Sequence, residues 1–207
     1  MKKSELLNAV YEQLKGELAD SGFRLLKREQ AFNRKTAFGS QQIVIPVWNY
    51  SPLFRFTLLA SVRVDAVEDV FHHYSGEPDE DHSQSFSLTT PFAYFSSENE
   101  FSVTSVEEAS NATRKIIPII RSSVLPHLNE TEDVYAVDRL LNTSRNAASL
   151  VNRIRPESSL PRALIAAKLS GNPAFAELIS KYSAELEDYD LDVRQVFDEV
   201  VAFLVKQ

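Results

Sequence analysis

The chain has 207 residues, 43% hydrophobic and 25% charged, with 22 Lys and Arg against 29 Asp and Glu and no cysteine. This is ordinary globular composition, and it excludes disulfides, thiol nucleophiles and cysteine-ligated zinc. A net charge of −7 argues against general nucleic-acid binding, which depends on neutralising phosphates. The charge is uneven: 10 Lys and Arg against 6 Asp and Glu over residues 1–65, 3 against 14 over 66–138, and 9 against 9 over 139–207. That layout suits a positive sheet surface beside a negative segment.

No apolar run approaches the roughly 20 residues of a membrane-spanning helix. Asn8, Glu12 and Gln13 interrupt the stretch behind Lys2 and Lys3, unlike a secretory leader. Without leader or cysteine the expected location is the cytoplasm, where the Asn-x-Ser/Thr triplets at Asn111, Asn129 and Asn142 are chance matches.

Along the chain, Ser4 is the expected cap of a first helix whose Leu6, Leu7, Val10, Leu14 and Leu18 recur at helical spacing. Gly22 closes it, with Phe23 folding back. The period then changes to two. Phe23–Arg28, Ala31–Thr36 and a strand carrying Ile43, Ile45 and Val47 precede the clearest element of all, Phe54–Val64. Its Phe54, Phe56, Leu58, Ala60, Val62 and Val64 fall on one side of the pleat, and Arg55, Thr57, Leu59, Ser61 and Arg63 on the other, as in a sheet with one dry and one wet face. Pro46 cannot donate to a ladder and marks an edge or bulge.

Asp65 with Glu68 reads as a capping pair for a helix with the stripe Ala66, Val67, Val70, Phe71 and Tyr74, stopped by Gly76. After a polar loop, Phe86–Thr89 and Glu100–Thr104 are further strand candidates. Ser105 with Glu108 opens a helical second half. Pro118 should kink its first helix and Pro126 should end it. Further helices are expected over Glu132–Asn142, Asn146–Ile154, Leu160–Ser170, Pro173–Glu187 and Leu191–Val205. The whole reads as a single α+β domain over 1–207. It is an antiparallel meander with an N-terminal helix (1–104) and an all-helical layer (105–207) on one face.

Gly22-Phe23, Phe32-x-Arg34, Gln41-Gln42, Phe54 and Val67-Glu68 sit in a layout of helix, Gly-Phe, β-meander and helices. Over roughly the first 130 residues this resembles uncharacterised bacterial domain-of-unknown-function proteins. The resemblance implies an α+β fold and a bacterial, intracellular setting, and it brings no catalytic residues with it.

The five glycines, Gly16, Gly22, Gly39, Gly76 and Gly171, are too far apart for a phosphate-cradling loop or a nucleophile elbow. Two clusters remain. Arg34, Trp48, Tyr50, Arg55 and Arg63 would place guanidinium groups and exposed aromatics on the wet sheet face, a common recognition pairing. Glu68, His72, His73, Asp79, Asp81 and His82 could offer N and O ligands to zinc, manganese or iron, although carboxylate–His pairs four apart also stabilise helices by themselves. An aromatic group, Phe86, Phe92, Tyr94, Phe95 and Phe101, reads as core, or else as an oligomer patch. The expected function is a non-enzymatic protein-binding module of immunity or regulatory type, with no cofactor. The alternative is a metal-dependent hydrolase built on Glu68–His82, and a structural homo-oligomer is a third reading.

Overall fold

The computed structural model describes residues 2–82, 84–143 and 156–207. The chain is α+β, with an N-terminal helix, antiparallel strands and C-terminal helices. It forms two compact units that interleave in sequence. One takes Met1–Ser61 and Thr90–Glu130, the other Val62–Thr89 and Thr131–Gln207.

In the first unit, α1 (Lys3–Ala19) starts ahead of the expected Ser4 cap. The Glu5 carboxylate accepts from the Lys2 backbone N–H at 2.8 Å, so Ser4 lies inside the helix. Gly22 adopts φ 83°, and the Phe23 N–H donates to the Leu18 carbonyl at 3.0 Å, closing α1 as expected. Strands β1 (Arg24–Leu26), β2 (Ala31–Lys35) and β3 (Gly39–Val44) follow, antiparallel in turn.

The expected single meander is in fact two sheets, and the chain changes sheet twice. At Ile45-Pro46 it leaves β3 and enters β4 (Val47–Tyr50), because Pro46 has no N–H to continue a ladder. The expected strand Phe54–Val64 is likewise two strands, β5 (Leu53–Phe56) and β6 (Leu59–Val64). The strand orders are β1-β2-β3-β6-β7 and β4-β5-β8, with β7 at Leu88–Pro91 and β8 at Phe101–Val103. The alternation survives the break: Phe54, Phe56, Leu58, Ala60, Val62 and Val64 are all buried. The other side is wet only on β5. On β6, Ser61 is buried and the Arg63 side chain is 13% exposed.

Helices α2 (Asp65–Ser75) and α3 (Asp79–His82) precede α4 (Val106–Ile119), which packs on α1 and β8. The Ser105 hydroxyl accepts from the Glu108 N–H at 3.1 Å, as a capping box requires. Pro126 does not end this helical run. A π turn over Ile120–Val124, in which Leu125 N–H reaches back five residues to Ile120, leads into α5 (Leu125–Glu130) with Pro126 in its first turn.

In the second unit, Asp65 is the first residue of α2 and not its cap, and Glu68 is turned inward with Val67 and Phe71. Gly76 closes α2 with φ 67°. α6 (Val134–Asp138) is capped by Asp133, whose carboxylate accepts from the Ala136 N–H at 2.8 Å, and a π turn follows over Arg139–Thr143. The expected helix Asn146–Ile154 lies outside the described residues. α7 (Pro156–Ser170) starts earlier than expected and carries Pro161 inside it. Every residue from Leu160 to Ala167 on α7 is buried, and α7 packs against α2, α6, α8 (Phe175–Glu185) and α9 (Leu191–Lys206). A helix buried all round is the centre of its unit. α8 begins two residues after the expected Pro173, with the Asn172 side chain accepting from Ala174 N–H at 2.9 Å. Among the described residues no helix is long and apolar enough to cross a membrane.

Candidate functional site

The residues proposed for metal binding converge only in part, and they serve a buried charge network. Glu68 is wholly buried on α2. Its Oε1 accepts from Arg162 Nε at 2.9 Å and Ser87 Oγ at 2.8 Å, and its Oε2 from Arg162 Nη2 at 2.9 Å. The guanidinium lies 3.6 Å from the Phe71 ring centre. Burial alone would raise the Glu68 pKa. Arg162, by charge and hydrogen bonds, overcomes this with help from serine hydroxyls and holds the carboxyl below its ordinary value.

His72 borders this pair, with Nε2 at 2.6 Å from Ser85 Oγ and 3.5 Å from Glu68. Its ring stacks on His82 at 3.8 Å between centres. Arg63, expected on a free face, is spent here: Nε binds Asp65 at 2.8 Å, and Nη1 binds Ser85 Oγ at 2.7 Å and the His82 carbonyl. Asp79 is 3.8 Å from His82, and His73 is exposed and edge-on to Tyr74. Asp81 occupies α3, and its side chain lies outside the described ones. Among the described residues no three His, Asp or Glu side chains gather as a metal site.

The network titrates. Burial pushes His72 below the ordinary histidine value, helped by the positive charges of His82 and Arg162 and opposed by Glu68 and Glu77. An unfolded chain therefore takes up a proton at His72 before the folded one does, and stability rises with pH across that window. Thermal unfolding should show a plateau above about pH 7 and a falling melting temperature as the pH drops through about 6.5, the free histidine value. The His72→Gln variant should flatten the upper part of that fall. An unchanged profile in the variant would place the proton uptake elsewhere, His127 being similarly lowered by burial.

The sheet-face residues divide too. Arg34 is engaged within the first unit: Nε donates to Gln41 at 2.7 Å, Nη1 to the Ser21 carbonyl at 3.1 Å and Nη2 to Asn129, and the guanidinium lies 4.7 Å from the Phe23 ring centre. Trp48, Tyr50 and Arg55 do come together. Trp48 pairs directly with Arg55 across β4 and β5, and Tyr50 with Leu53, so all three side chains share the face opposite the buried Phe54 and Phe56. Trp48 is 44% exposed and Tyr50 57%. The Arg55 guanidinium lies 5.2 Å from the Tyr50 ring centre and 3.3 Å from Glu100. This face offers flat apolar area and a guanidinium held in place by Glu100.

Of the aromatic group, Phe92 and Phe101 are core, while Tyr94 and Phe95 flank His127 at 5.4 and 5.1 Å.

Two features escaped the sequence reading. The Glu68–Arg162 pair had a signal in Arg162, a lone charge inside the apolar run Leu160–Ala167. The groove between β8 and α4 had none, since strand and helix order says nothing of the gap between them. No family model, curated protein or solved structure matches the chain. Fold and site together define an α+β protein with an exposed aromatic–guanidinium sheet face.

Proposed function

We propose that this chain is a non-enzymatic protein-binding module, of immunity or regulatory type in a bacterial cytoplasm, and that it docks a protein partner on the β4-β5-β8 face. The observation that carries the reading is the cluster of Trp48, Tyr50 and Arg55. Two large rings stand in water beside an oriented guanidinium, and none of the three packs in the core. Trp, Tyr and Arg are the side chains in which binding energy concentrates at interfaces. The partner surface this face suits is apolar at its centre and presents a carboxylate that competes with Glu100 for Arg55.

Capture from a native-host lysate should yield a protein with the unaltered chain. The Trp48→Ala, Tyr50→Ala and Arg55→Glu triple variant should weaken its binding by at least about 100-fold, since each anchor carries on the order of 1–2 kcal/mol. Melting should shift by no more than about 5 °C, because three exposed substitutions of up to about 0.5 kcal/mol each sum to about 1.5 kcal/mol. Undiminished capture by the triple variant would remove this face from the interaction.

A further inference from the structure

We propose that the groove between β8 and α4 takes an extended, basic segment of a partner protein as an added strand on β8. The inference rests on the reading of the chain as a binding module but uses the edge of β8 in place of the aromatic face, the two meeting at Glu100.

Among the described residues β8 is the last strand of its sheet and pairs only with β5. Its outer side faces α4 across a groove of about 250 Å³ lined from β8 by Ser102 and from α4 by Asn111 and Ala112. That is smaller than the roughly 300–1,000 Å³ of small-molecule pockets, and its lining takes in all three residues of β8.

The backbone direction follows from two observations. Phe101 and Val103 are 5% and 2% exposed, so their polar groups must be paired, and the register sets them opposite Phe56 and Phe54. Thr104 N–H points the other way, donating to the Glu108 carboxylate on α4 at 2.6 Å. Alternation gives Ser102 the direction of Thr104, so the Ser102 N–H and carbonyl face the groove. Glu108 thus holds the place that a strand carbonyl would take at one end. Beside the middle of the edge the groove is lined by the short side chains of Asn111 and Ala112. Strand addition to such an edge is a general mode of peptide recognition.

Charge selects the segment. The groove is lined by Glu98, Glu100 and Glu108; Lys115 pairs with Glu98 at 3.1 Å and Arg55, from the neighbouring face, with Glu100 at 3.3 Å, which leaves one carboxylate in excess. Lysine or arginine at alternate positions of an added strand would meet this surplus, whereas an acidic strand would be repelled.

The test is selection of a random heptapeptide phage library on the full chain, followed by binding of a synthetic peptide of the enriched sequence. Enriched peptides should carry Lys or Arg at alternate positions. N-methylation of the central residue should weaken binding by about fivefold to tenfold, the worth of one or two strand hydrogen bonds. Ser102→Pro should do the same while the chain stays folded, because proline is tolerated where an edge N–H points outward. Trp48→Ala with Tyr50→Ala should leave peptide binding within about twofold if the two surfaces are independent, so loss of face docking and loss of groove binding are separable. Selection without basic enrichment, or methylated peptide binding as tightly as the parent, overturns the proposal, and the second result needs no variant of the protein.

Discussion

Replacing Arg162 with methionine should cost about 3–5 kcal/mol of unfolding free energy, read from denaturant titration. Arg162 supplies two hydrogen bonds and the only guanidinium in contact with the Glu68 carboxylate among the described residues, and Glu68 has no exposed surface. Without it the carboxylate must either stay charged and unpaired or protonate in place, and both are unfavourable in a dry site. Converting both partners, Glu68→Leu with Arg162→Met, should recover most of the loss. An ion pair taken out of water is often no more stable than apolar groups of its volume, although Ser87 would lose an acceptor. If Arg162→Met alone stays within about 1 kcal/mol of the parent chain, water or another cation must reach Glu68 and the site is not sealed.

The same pair shows where sequence reading stops. Glu68 lies between Val67 and the i+3 position Phe71, on the apolar side of α2, but an acid three residues after Asp65 also fits a capping pair, and local spacing alone cannot separate the two. What decides is Arg162, 94 residues away. Helix periods, the Gly22 and Gly76 closures and the alternation from Phe54 to Val64 were legible because each is set within a few residues. The change of sheet after Phe56 was not. An unbroken alternation of apolar residues fits one long strand and two short strands in different sheets equally well, since both bury the same side. The sheet-face residues follow the same rule. Trp48, Tyr50 and Arg55 lie together because they share one hairpin, whereas Arg34 and Arg63 have long-range partners in Asn129 and Ser85. Pro126 was misread because a π turn upstream, which no composition signals, lets the helical run continue through it.

The second large effect should come from Phe56→Ala, again about 3–5 kcal/mol. Phe56 is fully buried. It stands opposite Val47 on β4 and Phe101 on β8, with its ring 5.4 Å from that of Phe101. Three strands of one sheet therefore meet on this side chain. Truncation loses its transfer energy and leaves a cavity that the short strands cannot collapse to fill, because Phe101 is itself held at 6.2 Å by Phe92. One residue earlier, Arg55→Ala removes a half-exposed side chain and should change stability by no more than about 0.5 kcal/mol. The contrast between neighbours tests the two-faced character of this sheet directly. It also tests its link to function, since Phe56 fixes β4 against β5 and so sets Trp48 beside Arg55. In Phe56→Ala the emission of Trp48, the sole tryptophan, should change at denaturant concentrations below the global transition. Coincident transitions would mean that the sheet holds its face until the whole chain unfolds, and comparable losses at Arg55 and Phe56 would deny the sheet a dry side.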